Sequence, residues 1–312
     1  MPTIFTQGAA SAQGFGFGGG PKALAPGTVG IFALGLVGGV GSITRNKYLF
    51  ACDTSGSATS ASTASYYQSA AGNSTRGIFA LGNAPSRSTT RNKYTYSSDT
   101  NGSAAAASIA SAQGAAAGNS TRGIFALGRT CGATATRNKY TYACDISGSA
   151  AAASAASYSQ SAAGNSTRGI FALGCVACSN SARDKYTYAC DANGSATAAS
   201  SASRAGAAAG NSTRGIFALG VVSCAGSTIR NKYTYACDTS CSATSGGGLY
   251  FGSAAGNSTR GIFALGFVSG LGGTTTRNKY TYACDTNGTA ACASAASYGG
   301  AAASNGTCGV NV

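Results

Sequence analysis

The chain has 312 residues and a net charge of +14, yet only 9% of its residues are charged, against about 25% in ordinary soluble domains. It contains no Glu, His or Trp, which removes the commonest copper and zinc ligand and leaves seven Asp as the only side-chain carboxylates. Low aliphatic content with high net charge is the composition of disordered chains, but a strict register of apolar and aromatic words argues for a folded array instead.

Residues 1–29 read as a degenerate partial repeat: Ala10-Ser11-Ala12-Gln13-Gly14 matches Ala110-Ser111-Ala112-Gln113-Gly114, and a Gly-rich insert with Pro21 and Pro26 follows. The first residues lack a basic and then apolar leader, and no apolar run reaches the roughly 18 residues of a membrane span. The expectation is a chain made in the cytoplasm without a signal peptide and without membrane insertion.

From Gly30 to residue 297 there are six copies of one plan. The word Gly77-Ile78-Phe79-Ala80-Leu81-Gly82 returns from Gly123, Gly169, Gly215 and Gly261 at a spacing of 46 residues, and in looser form from Gly30. A short apolar run bounded by glycines suits a strand buried on both faces. A variable segment follows, then Arg91-Asn92-Lys93-Tyr94-Thr95-Tyr96 and its copies, where alternating aromatic and β-branched residues predict a strand. Asn101-Gly102 and its equivalents carry hairpin chemistry. The Ala/Ser stretch from Ala105 to Ala117 is predicted as two further strands with small side chains, and residues 298–312 as a partial repeat.

Four short strands in 40 to 50 residues is the plan of a propeller blade. The repeat resembles the kelch type of β-propeller in its glycine-ended apolar strand, variable hairpin, and Tyr-spaced strand followed by Asp and a turn. The usual Gly-Gly doublet is reduced to Gly82 and its equivalents, and the Trp expected after the Tyr strand is missing. The resemblance implies an all-β, single-domain β-propeller over residues 1–312. Seven blades are expected, one of them closed by the N- and C-termini, with six blades as the alternative.

The near-identical repeats, the Gly/Ala/Ser/Thr/Asn-rich composition and the Thr6–Phe17 opening also make the chain similar to repetitive bacteriophage tail and fibre proteins. That likeness implies a non-enzymatic virion component for host attachment. Its expected partners are other virion proteins and host surface polysaccharide or lipopolysaccharide. A soluble lectin-like or scaffolding propeller of cellular origin is the alternative.

Six Asp (Asp53, Asp99, Asp145, Asp191, Asp238, Asp285) share one repeat position, which marks them as structural partners of the recurring cations and not as a catalytic pair; the seventh, Asp184, replaces the Asn of the RNK word. No cofactor or metal is expected, since Cys175-x-x-Cys178 stands alone. Nucleic acid is disfavoured because no aromatic-and-basic run is present. Cys52, Cys144, Cys190, Cys237 and Cys284 share one slot and are expected as small buried residues. Asn73-Ser74-Thr75 and its copies read as turn chemistry. Binding is therefore expected in the loops that vary between copies, with Arg87, Arg129, Phe267 and Leu271 after the GIFALG word, and with Tyr250 and Phe251, whose rings could stack on a sugar or fill a gap between blades.

Overall fold

The computed structural model describes residues 27–306, apart from Val176, Leu249, Leu265 and residues 269–271. The described residues contain strands and no helix, arranged as six four-stranded antiparallel sheets with three small hairpin sheets at their ends. The second sheet shows the plan: Ser69–Gly72 lies innermost, followed by Arg76–Ala80, Arg91–Thr95 and Thr100–Ala104 at the outer edge. Ile78 and Phe79 are wholly buried because sheets cover both faces of their strand. Burying each such side chain contributes about 1.5–3 kcal/mol. The outer strand alternates toward solvent, and its Ser, Gly and Asn need no cover.

The innermost strands touch in sequence order, from Ser69–Gly72 through Ala115–Gly118, Ser161–Gly164, Ala207–Gly210 and Ser253–Gly256 to Ala301–Ser304, which returns to Ser69–Gly72. Small residues are required at this approach. A Cβ at Gly123 would lie 3.0 Å from Ala71 Cβ of the preceding sheet and 2.9 Å from the Tyr142 hydroxyl.

Each pair of neighbouring sheets is held by the RNK word. Arg45 of the first sheet places its guanidinium 4.5 Å from the centroid of Phe79 in the second. It donates to Asn92 Oδ1 at 3.2 Å and to Asn101 Oδ1 at 2.8 Å. Arg277 of the sixth sheet treats the first in the same way, lying 4.5 Å over Phe32 and donating to Asn46 and Ser55 at 3.1 and 2.9 Å. Desolvation pulls Arg45, Arg91, Arg183, Arg230 and Arg277 down to about 10, which still leaves each charged at neutral pH. The aromatic face and the amide oxygens replace the water that burial removes.

The recurring Asp is a three-way junction. Asp99 accepts from Lys47 of the preceding sheet at 2.6 Å, from the Thr59 amide of the same neighbour at 2.9 Å, and from its own Tyr94 hydroxyl. All six RNK lysines are ion-paired in this way, including Lys279 with Asp53 between the sixth and first sheets. The expectation that Asp and cation form structural pairs between repeats holds.

Four expectations change. The turn lies at Tyr96–Asp99, where Asp99 adopts φ 50°; Asn101-Gly102 falls inside the outer strand, and Asn101 Oδ1 accepts from Arg45. Asp tolerates the left-handed region through its short polar side chain. The Ala/Ser stretch gives one strand, Ala115–Gly118, while 105–114 is the connection that crosses to the next sheet. The cysteines of the shared slot are exposed and not buried, because the slot sits in that solvent-facing turn; Cys52 Sγ lies 3.2 Å from Thr54 Oγ1. Finally, Ala301–Ser304 pairs with Val29–Ala33 and completes the first sheet. The strand expected in a seventh blade therefore belongs to the first sheet, and the described residues form six four-stranded sheets. The remaining segments assigned to a seventh, 1–26 and 307–312, lie outside the described residues.

A candidate ligand cleft on the hairpin face

Antiparallel order sorts the connections onto two ends of the sheets. One end carries the Asp turns and the Asn-Ser-Thr turns. Asn73 Oδ1 accepts from the Thr75 and Arg76 amides at 3.0 Å, and its Nδ2 donates to the Ser120 carbonyl of the next sheet at 3.1 Å, so the sequon is a turn and a clip. The opposite end carries the variable hairpins and the segments that enter the innermost strands.

At this second end two backbone devices fix side chains that differ from copy to copy. The first is a reciprocal amide pair between the residue after each GIFALG word and a residue just ahead of an innermost strand. Asn83 and Tyr66 exchange bonds of 2.9 and 3.0 Å, Val221 and Arg204 bonds of 2.8 and 3.2 Å, and Phe267 and Tyr250 two bonds of 2.9 Å. The second is a ring around the centre. Tyr67 donates to the Gly299 carbonyl, Gly299 to Phe251, Phe251 to Ala205, Ala205 to Ser159, Ser159 to Gln113, and Gln113 back to Tyr67, at 2.6 to 3.0 Å. All six residues have positive φ, from 46° to 65°. The ring therefore holds five non-glycine residues in a region that only the surrounding structure makes tenable. Gly299 is the exception for a further reason: a Cβ there would meet the Tyr67 ring at 3.0 Å.

Because these devices are the same in every sheet while their residues are not, the face is chemically lopsided. Arg204, Val221, Cys224, Tyr250, Phe251, Phe267 and Tyr298 enclose an open cleft of about 310 Å³. The Phe267 ring lies 5.9 Å from Tyr250 and 5.4 Å from Tyr298, centroid to centroid. Phe251 continues to Tyr67 at 5.0 Å, and Tyr67 to Tyr66 at 5.1 Å. Arg204 Nη1 has Ser179 Oγ at 3.3 Å as its side-chain partner, and the residue is half-buried in the cleft lining. Beyond it, Tyr158 and Cys175 exchange backbone bonds of 3.0 and 2.8 Å, and the nearby Cys175 thiol raises the Tyr158 pKa while Arg129 and Arg204 lower it.

Of the residues expected to bind, Tyr250, Phe251 and Phe267 come together in this cleft. Arg129 is on the same face, exposed, with its guanidinium 5.6 Å over the Tyr158 ring. Arg87 is exposed and paired with Asn83 inside its own hairpin, apart from the cleft lining. Leu271 lies outside the described residues. Arg204 and Tyr298 were not singled out in the sequence, although alignment of the copies carries a signal. The residue two before Gln68, Gly114, Gln160, Gly206, Gly252 or Gly300 reads Tyr, Ala, Tyr, Arg, Tyr, Tyr, and the next one reads Tyr, Gln, Ser, Ala, Phe, Gly, so two adjacent variable columns lie just ahead of the conserved Ala-rich strand. Cys175 is buried beside Tyr158 while Cys178 is exposed.

No protein-family model and no curated protein matches the chain. Among solved structures, 239 chains are similar, and one described as "Structure of YjhT" superposes with a TM-score of 0.56 over 73% of this chain and 84% of its own, at 10% identity. At that identity the likeness speaks for fold alone, and with the six four-stranded antiparallel sheets it makes this a β-propeller-like all-β protein.

Proposed function

We propose that the chain is a non-enzymatic binding protein, a closed six-bladed propeller whose hairpin face makes the contact. The observation that supports binding most directly is that constant backbone clips present non-constant side chains on one face, with aromatic rings gathered on one side of it. Closure is supported by the junction of the sixth and first sheets, which reproduces the cation–ring, amide and ion-pair contacts of the others. The repeat words and small-residue composition favour a virion-surface role, as a phage tail or fibre component that meets host surface polysaccharide, lipopolysaccharide or a neighbouring virion protein. On this reading the carboxylates serve the scaffold, since each Asp is engaged by a cation.

Sedimentation with host cells, envelope polysaccharide and particles tests this. Purified protein should co-sediment with at least one of them and lose this when Arg129 and Arg204 are both changed to Ser. No co-sedimentation with any of the three would remove the virion reading, and glycan-array binding without particle association would favour the lectin-like one.

A further inference from the structure

We propose that the cleft bounded by Arg204, Tyr250, Phe267 and Tyr298 is a site for a small aromatic monoanion: a flat one- or two-ring system with a single carboxylate at its edge. The inference deepens the proposed binding role of this face by assigning a ligand class to one part of it.

Size comes first. At about 310 Å³ the cleft is at the small end of the range for ligand sites, enough for a fused bicyclic ring and too little for an extended chain. The lining then decides the chemistry. Tyr250, Phe251, Phe267 and Tyr298 supply ring faces and edges, and Val221 supplies an aliphatic wall. Among the described lining residues, strong hydrogen-bonding side chains are limited to one guanidinium and two phenol hydroxyls. A polyhydroxylated ring would lose water from more hydroxyls than these groups can satisfy, and each unpaired buried polar group costs affinity. An aromatic ring makes no such demand and gains offset or edge contacts with Phe267 and the two rings beside it, Tyr250 and Tyr298.

Charge settles the rest. Among the described residues Arg204 is the one charged residue of the lining, and Ser179 Oγ, at a long 3.3 Å, occupies one of its five N–H groups. A guanidinium in that state matches one carboxylate, with two parallel bonds. The acidic residues are engaged elsewhere: the six junction Asp pair with lysines and Asp184 with Arg137. The site is also preorganised, since Arg204 and Tyr250 are each tied through both backbone groups to Val221 and Phe267, so little ordering cost falls on the ligand.

The probe is 2-naphthoate, titrated into the intact protein by calorimetry beside neutral 2-naphthylmethanol and glucuronate. For about a dozen heavy atoms, a dissociation constant of about 0.1–1 mM is expected. The neutral alcohol should bind at least about fivefold more weakly, and glucuronate more weakly than either. Arg204→Gln should erase the difference between acid and alcohol while leaving the alcohol unchanged, and Phe267→Ser should weaken both. Naphthoate should also slow alkylation of Cys224, exposed at the rim, relative to Cys131 on another hairpin, read peptide by peptide by mass spectrometry. Equal binding of acid and alcohol, tighter binding of glucuronate, or no saturable binding in the millimolar range would each overturn the proposal. Co-sedimentation is scored separately: its loss with naphthoate binding intact would count against the virion role alone, and its persistence without naphthoate binding against this site alone.

Discussion

Asp184 stands where the other five sheets carry Asn, and its surroundings show how one atom reverses a hydrogen bond. Asn92 accepts from Arg45 and from the Ser62 amide through Oδ1, and donates through Nδ2 to Ser62 Oγ. Asp184 accepts from Arg137 at 2.9 Å, from the Ser154 amide at 2.9 Å, and from Ser154 Oγ at 2.6 Å. The hydroxyl has turned from acceptor to donor, and the Arg137–Asp184 pair is fully buried. Asp184→Asn should restore the arrangement of the other sheets and change stability by less than about 1.5 kcal/mol. Asp184→Ala leaves Arg137 buried without its carboxylate and should cost about 3–5 kcal/mol, both read by thermal unfolding. The substitution itself is visible in the sequence, but its meaning is not, because Arg137 and Asp184 are far apart in the chain and belong to different sheets. The same limit hid Arg204, one cation among 21, which shares a cleft with rings contributed by other repeats.

Glycine shows at the level of the strand and hairpin what periodicity can and cannot convey. The glycines that bound GIFALG mark a strand limit in the sequence, and the strand is there. Why glycine is needed depends on neighbours. Gly82 has φ 67°, and a Cβ would sit 2.4 Å from the carbonyl oxygens of both Tyr66 and Tyr67. Gly102, read as a turn glycine, lies in an outer strand with its nearest neighbour 4.0 Å from a built Cβ. Gly82→Ala should cost about 1–3 kcal/mol, and Gly102→Ala should stay within about 0.5 kcal/mol, by the same melts. Strand existence was legible because Tyr94-Thr95-Tyr96 and Ile78-Phe79 carry it locally. The turn was misplaced because an Asp in left-handed geometry does the work usually given to Asn-Gly. The cysteines were misplaced for a related reason: constancy between copies signals a constant environment and leaves open whether that environment is dry.

Over the whole molecule, the six Asp junctions set the response to acid. Partial burial by itself would raise these carboxyls, but the lysine, the tyrosine hydroxyl and the backbone amide together outweigh it. Asp53, Asp99, Asp145 and Asp191 are held at about 2, below the usual 3.8, and Asp238 and Asp285 are lower still. The unfolded chain therefore takes up protons first. The stabilisation is complete above about pH 5 and is lost as pH falls through about 4 toward 2. A Tm that is level between pH 5 and 7 and falls by more than about 10 °C by pH 3 is expected, measured by circular dichroism; Lys93→Met should flatten part of that fall. The proposed closure of the ring gives a second expectation. Ala301–Ser304 is the innermost strand of the first sheet, so a chain ending at residue 296 should lose cooperative melting and become sensitive to protease across all its repeats.

The six-residue backbone ring carries a consequence for exchange with solvent. The amides of Tyr67, Gln113, Ser159, Ala205, Phe251 and Gly299 come from six different repeats, yet each is bonded to the next. Releasing one requires two neighbouring sheets to part, and in the closed propeller proposed above two sheets cannot part while the other four stay in place. In deuterated water these six amides should share one protection factor near that of global unfolding, whereas amides at the tips of the variable hairpins should exchange independently and early.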